Sequence, residues 1–194
     1  ATIKALESGA HMIATDIAPE HLEAIKSKAT NTLKKNLRVQ QGLFPEGNRI
    51  EENSVKHVLI CRVSHYFNPE QMDAAISELF KILKPGGSVY LVSESPYGEV
   101  FKTFIPIYEK RKLDNTVNWP GYIENLKNYM DEYSEDNPNT MLLLGDVELR
   151  RGFKKAGFKV NQCAFFSRKG IFPDRLCRDD RESVGIIASK PVPL

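Results

Sequence analysis

The stretch NPEQMDAAISELFKILKPGGSVYLVSES, residues 68–95, limits most narrowly what this chain can fold into. Asn68 offers a helix cap, Pro69 suits a first turn where its missing N–H costs nothing, and Gln71 is placed to bond back to the cap. Met72, Ile76, Leu79 and Leu83 then recur at helical spacing on one stripe. Pro85, Gly86 and Gly87 are predicted to end that helix, and SVYLVSES follows as an apolar strand over 88–95. A helix delivered within a few residues into a largely apolar strand calls for a sheet with helices packed on it.

The same alternation runs on both sides of that stretch. Ile3 and Leu6 suit the tail of a helix ended by Gly9, and HMIATDI (11–17) reads as a buried strand. Pro19 opens a helix predicted over 19–35, with Leu22, Ile25, Ala29 and Leu33 on one face. LRVQQG (37–42) is a second strand, GLFPEGNRIEENS a turn-rich loop, and VKHVLICRV (55–63) a third strand. Strands and helices in this order imply a parallel sheet covered by helices. Residues 97–145 interrupt the rhythm. Their spacing predicts helices over about 99–112, with Phe101, Phe104, Ile105 and Tyr108 clustered, and about 121–133, with Ile123, Leu126, Met130 and Tyr133 in phase. The only tryptophan, Trp119, falls between them in NTVNWPG. Asp146 can cap a last helix that Gly157 ends, and FKVNQCAFF (158–166) and SVGIIASK (183–190) close the chain as strands. Without a repeat, low-complexity tract or long linker, residues 1–194 read as a single domain with 97–145 inserted.

Composition removes several classes of function. At 194 residues, 41% apolar and 27% charged, the chain can bury one sizeable core. The net charge of +2 and scattered KSK, KK, KRK and RR pairs give no nucleic-acid arm. Three widely spaced cysteines without a C-x-x-C support neither a disulfide framework nor a metal site, and suit a reducing, cytoplasmic compartment. No apolar run approaches the roughly 18 residues of a membrane span. The expected partner is a small-molecule substrate, with no nucleic acid and no membrane; nothing in the sequence sets an oligomeric state.

Three stretches resemble a class I S-adenosylmethionine-dependent methyltransferase. IATDIAPEHLEAIKSKA is similar to the second strand and following helix of that family. NSVKHVLICRVSHYFNPEQMDAAISELFKILKPGGSVYLVSES is similar to its fourth strand through its fifth. LRRGFKKAGFKVNQCAFF with SVGIIASK resembles its last helix and closing strand pair. The resemblance implies an α/β, Rossmann-like, doubly wound and mostly parallel sheet with a closing antiparallel strand, and a helical insertion or lid before the last helix. It also implies S-adenosylmethionine as cofactor, lying across the carboxyl ends of the strands.

Carried over by position, Asp16, with Ile17 beside it, would hold the ribose hydroxyls, since a short carboxylate at a strand end can accept from two hydroxyls at once. Gly42, Leu43 and Phe44 fall where the family packs adenine. Cys61, Arg62 and Val63 fall beside the methionine moiety, with His65 near the reacting methyl as the catalytic candidate. Tyr97, Tyr108, Trp119 and Tyr122 would meet the substrate if the insertion is a lid. Each has a plainer reading. Asp16 also suits a helix N-terminus, Cys61 a small buried hydrophobe, Arg62 a surface ion pair, His65 a solvated loop residue, and the insertion a cover for a sheet edge.

Two departures stand beside the resemblance. Leu43 and Lys56 replace acidic residues common in the family, and the family's glycine-rich loop has no counterpart after Ala1. The strand that belongs between the second and fourth family strands is absent as well, which would leave backbone groups unpaired. About 30 or more preceding residues, carrying a strand and a glycine-rich turn, are therefore expected, or the same elements from another chain. The expected activity is methyl transfer to an oxygen, nitrogen or carbon of a small acceptor. CRVSHYF, in place of an Asn-Pro-Pro-Tyr-like tetrapeptide, speaks against methylation of base or amide nitrogens. The alternatives are a methyltransferase-like binding protein without turnover and an NAD(P)-dependent oxidoreductase, which also sets an acid after its second strand.

Overall fold

The computed structural model describes residues 1–47, 49–130 and 133–193, and the chain forms two compact units, residues 1–50 and 51–194. In the first unit α1 (Thr2–Glu7) leads into β1 (Met12–Asp16), α2 (Pro19–Lys28), α3 (Asn31–Lys34) and β2 (Leu37–Gln41). Gly9 adopts φ +86°, the left-handed conformation that releases the chain from α1. β1 and β2 pair in parallel from Met12 opposite Leu37 to Asp16 opposite Gln41. The single helix predicted over 19–35 is two. Ala29 turns extended and Thr30 caps the second piece, its hydroxyl accepting the Leu33 N–H at 3.4 Å. Hydroxyl side chains compete in this way for backbone donors, which favours caps over helix interiors.

In the second unit the strands β3 (Val55–Cys61), β4 (Leu83–Glu94), β7 (Lys159–Phe166) and β8 (Ser183–Ser189) form one sheet in the order β3-β4-β8-β7. β3 and β4 are parallel, whereas β8 runs antiparallel to both β4 and β7. The α/β class and the closing antiparallel pair are as expected. The single mostly parallel sheet is not: β1 and β2 form a separate ladder, because no described strand pairs with both β1 and β3.

α4 (Pro69–Ile82) starts on the capping box legible in the sequence. Asn68 Oδ1 accepts the Gln71 N–H at 2.8 Å, and Gln71 Oε1 accepts the Asn68 N–H at 3.1 Å. Its apolar stripe is buried at Met72, Ile76 and Leu79. The strand after it begins at Leu83 rather than 88, so Lys-Pro-Gly-Gly belongs to β4 and not to a turn. A shift of register between Val55 and His57 accommodates it, Gly86 takes φ +76°, and a Cβ on Gly87 would lie 2.7 Å from the Lys56 carbonyl oxygen.

The insertion departs furthest from expectation. Among the described residues there, only α5 (Ile105–Lys112) is α-helical, with single 3-10 turns at Glu99–Phe101 and Leu126–Asn128. The helix predicted over 121–133 is corrected: β5 (Tyr122–Ile123) pairs antiparallel with β6 (Met141–Leu142), and positions 131 and 132 lie outside the described residues. Ile123 and Leu126 are buried as their spacing suggested, packed in one cluster with Phe101, Phe104, Tyr108 and Leu143. Pro120, Gly121, Asn125 and Asn128 are poor helix formers, and a short hairpin satisfies the same apolar pattern.

α6 (Asp146–Lys155) is capped one residue earlier than expected, because Glu148 Oε1 accepts the Gly145 N–H at 2.7 Å and Asp146 is the first helical residue. Gly152 on α6 faces the Trp119 ring and Ile76; an added Cβ would lie 2.9 Å from one ring carbon and 3.1 Å from Ile76 Cδ1. Gly152→Ala is therefore expected to destabilise the protein by about 1–3 kcal/mol, the range for overpacking a rigid site. Urea denaturation followed by Trp119 fluorescence measures it, and a change below about 0.5 kcal/mol would show that the ring moves aside freely.

Candidate functional site

In the first unit, Asp16 ends β1 and its carboxylate serves the chain directly after it. Oδ1 accepts the Ala18 N–H at 2.9 Å and lies 3.2 Å from His21 Nδ1. The plain role at the start of α2 is thus real, and it engages one oxygen only; Oδ2 has no hydrogen-bond partner among the described residues. The Gly42 N–H donates to the Asp16 carbonyl at 3.1 Å, and Gln41 Nε2 donates to the Ile17 carbonyl at 3.2 Å, so the ends of β1 and β2 are held together. Beside them opens a cavity of about 700 Å³ whose lining includes Ile17, Val39, Gln40, Gly42 and Leu43 together with Arg38 and Arg49. Ile17 and Leu43 are 64% and 44% exposed, which is high for side chains of this kind next to a concave surface. Phe44 lines a small adjoining hollow. Gly42 has no room for a side chain, since a Cβ would lie 2.8 Å from the Gly47 carbonyl oxygen.

In the second unit, the candidates after β3 separate. Cys61 is exposed, not the buried hydrophobe that its apolar neighbours suggested, because it alternates to the open side of the strand end. Arg62 takes φ +57° while its N–H donates to the Val92 carbonyl at 2.9 Å, which turns the chain sharply out of the ladder. Val63 is 45% exposed. Ser64–Tyr66 forms a 3-10 turn that buries His65, against the solvated alternative. Burial, then the cationic Arg62 and Arg168, lower the His65 imidazole to about 4, so it is neutral at physiological pH. His65 Nδ1 is buried without a hydrogen-bond partner.

That depressed value carries a stability consequence with a definite sign. Unfolded, the imidazole takes up a proton near 6.5; folded, it resists until about 4. His65 therefore supports the fold above pH 6.5 and opposes it as pH falls through the window down to 4, by about 3 kcal/mol when fully developed. Replacing His65 with Asn is expected to flatten the fall in unfolding free energy between pH 6.5 and 4.5, measured by urea titration at each pH. Parallel curves for both proteins would remove the assignment.

The Arg62 guanidinium is paired with Glu94 at the end of β4, as the plainer reading held, but the pair is half-buried and has a third member. Arg168 Nη1, just beyond β7, donates to Glu94 Oε2 at 2.6 Å. Glu94, Arg168 and Glu182 are absent from the sequence-based candidates. Glu94 and Arg168 lie at or just past strand ends, the same signal that singled out Asp16, and it applies equally to β4 and β7.

The four aromatic candidates of the insertion are largely committed to the protein. Tyr97 is buried, donates its hydroxyl to Glu109, and stacks edge-on against Tyr108 and Phe165. Tyr108 donates to Glu148 Oε1 at 3.0 Å, and Trp119 Nε1 donates to Asp73 Oδ1 at 3.0 Å. Tyr122 is half-buried in β5 and its carbonyl accepts Arg111 Nη1 at 2.6 Å. Among the described residues, no helix is long and apolar enough to cross a membrane.

Residues 1–87 match the family model of a methyltransferase domain. No curated protein matches the sequence. The whole chain is similar in structure to an S-adenosylmethionine-dependent methyltransferase from Methanosarcina mazei, with TM-score 0.68 and 15% identity over 99% of this chain and 87% of that one. A second similar structure is an S-adenosylmethionine-dependent methyltransferase from Mesorhizobium loti, with TM-score 0.61 and 11% identity over 93% and 81% of the two chains. A third is the glycopeptide N-methyltransferase MtfA, with TM-score 0.61 and 15% identity over 98% and 83%. The fold is that of Rossmann-like, S-adenosylmethionine-dependent methyltransferases, and the stretch that matches the methyltransferase-domain model is a little under half of the chain. The matched residues take in the whole first unit together with β3 and α4.

Proposed function

We propose that this chain transfers the methyl group of S-adenosylmethionine to a small-molecule acceptor. The observation that carries the reading is the cavity beside Asp16 within the matched methyltransferase domain. Its lining, with Asp16 next to it at the end of β1, fits the adenosine half of the cofactor. Asp16 Oδ2 is free to accept ribose hydroxyls while Oδ1 anchors α2. Ile17 and Leu43 offer apolar flanks to a flat ring, Gly42 lets that ring approach the backbone, and Gln40 Oε1 is a buried acceptor without a partner. The cofactor supplies a methyl group already activated on a sulfonium, so the protein has chiefly to align an acceptor and exclude water.

Thermal unfolding in the presence of S-adenosylmethionine, its demethylated product and NAD tests the reading. Stabilisation by both sulfur compounds and not by NAD is expected, and the reverse would move the protein to the oxidoreductases. The ribose assignment has a narrower test in Asp16→Asn, which keeps an acceptor for the Ala18 N–H but removes the charge. Cofactor affinity measured by calorimetry is expected to fall by about 1.5–3 kcal/mol, and unchanged affinity in the folded variant would remove Asp16 from the site.

A further inference from the structure

We propose that Arg62 and Arg168, clasping Glu94 beside Phe172, form a binding site for an anionic group of the methyl acceptor, a carboxylate in the simplest case. The inference deepens the methyl-transfer reading and rests on it.

The cluster is built from strand ends. Glu94 closes β4, Arg62 follows β3 and Arg168 follows β7, and the pairing of Glu94 and Phe166 with Ser183 brings these ends to one edge of the sheet. The Arg62 and Arg168 guanidiniums take separate oxygens of one carboxylate, Oε1 and Oε2. Side-chain exposure is 33% for Arg62, 12% for Arg168 and 17% for Glu94. A structural ion pair needs one cation for one anion; here two cations share one anion and leave a positive charge in a place poor in water.

Among the described residues, neither guanidinium pairs with a carboxylate other than that of Glu94. Glu182 lies close to the chain of Arg168, but its carboxylate is held by the backbone N–H groups of Arg168, Arg178, Asp179 and Asp180 at 2.7–3.1 Å, which orders the loop that presents Arg168. His65 is neutral, and both guanidiniums contribute to keeping it so. Arg168 Nε is buried and has no acceptor, so one donor of its fork remains unused. The planar guanidinium lies 3.2 Å over the Phe172 ring, which fixes its orientation, and that of Arg62 lies 5.8 Å from the same ring centre. Two oriented forks with unused N–H edges and one excess charge suit a carboxylate, which accepts two parallel N–H bonds from each fork. Glu94 then acts as a positioning residue that holds both forks until the ligand arrives.

Benzoate and its neutral isostere benzamide test the site by chemical-shift titration, with S-adenosylmethionine affinity measured in parallel by calorimetry. The expected result is at least tenfold tighter binding of benzoate, with a preference that shrinks as salt is raised. In R168Q the preference is expected to drop below twofold while cofactor affinity stays within twofold. In E94Q, benzoate is expected to bind severalfold tighter, because both forks lose their competing carboxylate; this arm also decides the matter if R168Q does not fold. Equal binding of benzoate and benzamide overturns the proposal. So does a loss of cofactor affinity in R168Q that parallels the loss of benzoate, since the pair would then hold the cofactor's own carboxylate. If benzoate is preferred and R168Q abolishes the preference while S-adenosylmethionine does not bind, the methyl-transfer reading falls and the anion site stands.

Discussion

Gly121→Ala is expected to be severely destabilising. An added Cβ would sit 1.9 Å from the Leu143 carbonyl oxygen, 2.8 Å from its carbon and 3.4 Å from its Cα. All three are backbone atoms of a fully buried residue, so no side-chain rotation can relieve the overlap. The same pair is joined by the Leu143 N–H donating to the Gly121 carbonyl at 3.0 Å, and β5 and β6 continue from there. Relief therefore means separating the hairpin and opening the cluster of Phe104, Tyr108, Ile123 and Leu126. The cost is on the order of 4 kcal/mol, above the usual range for overpacking because the obstacle is main chain. Against a typical total stability of about 5–15 kcal/mol, that lowers the melting temperature by roughly 10 °C. Gly9→Ala is the control: it strains a positive φ but meets nothing within 4 Å. A melting temperature for Gly121→Ala no lower than that of Gly9→Ala would show that the hairpin is not held as described.

Glu148→Ala is expected to follow closely. Glu148 is 2% exposed, and its Oε1 accepts from both the Tyr108 hydroxyl and the Gly145 N–H. Truncation leaves two buried donors without an acceptor, at about 1–3 kcal/mol each, and a cavity beside Tyr108. The expected loss is about 3–5 kcal/mol by urea denaturation. Glu148→Gln keeps the acceptor and should lose far less. It should also change the response to pH, because burial raises the Glu148 carboxyl above its ordinary range. A raised folded value favours the folded state at low pH, and that benefit fades as pH rises through it. The glutamine variant should lack this decline, and equal damage from Gln and Ala would show that the carboxyl acts through something other than its two bonds.

The elements that matched expectation are those specified within a few residues. The capping box of α4 involves positions three apart, and its stripe of Met72, Ile76 and Leu79 recurs at one turn. The acid at the end of β1 and the closing strands β7 and β8 were readable from the same short-range patterns. The hairpin of the insertion was not, because Ile123, Leu126 and Met130 satisfy helical spacing as well as they fill a cluster. What decided between them was Leu142 arriving opposite Tyr122, a contact across the chain rather than along it.

The site divides on the same line. By itself the sequence determined the strand-end positions of Asp16, Gly42 and Arg62, since alternation and turn residues act locally. Only the tertiary structure decided what surrounds them. Glu94 meets Arg62 across 32 residues and Arg168 across 74, and the charges of those two arginines help lower the pKa of the buried His65. Tyr108 gives its hydroxyl to Glu148 40 residues away and is thereby drawn into the core. Charge, burial and hydrogen-bond partnership are properties of the space around a side chain, and the packing of the strands and the insertion creates that space.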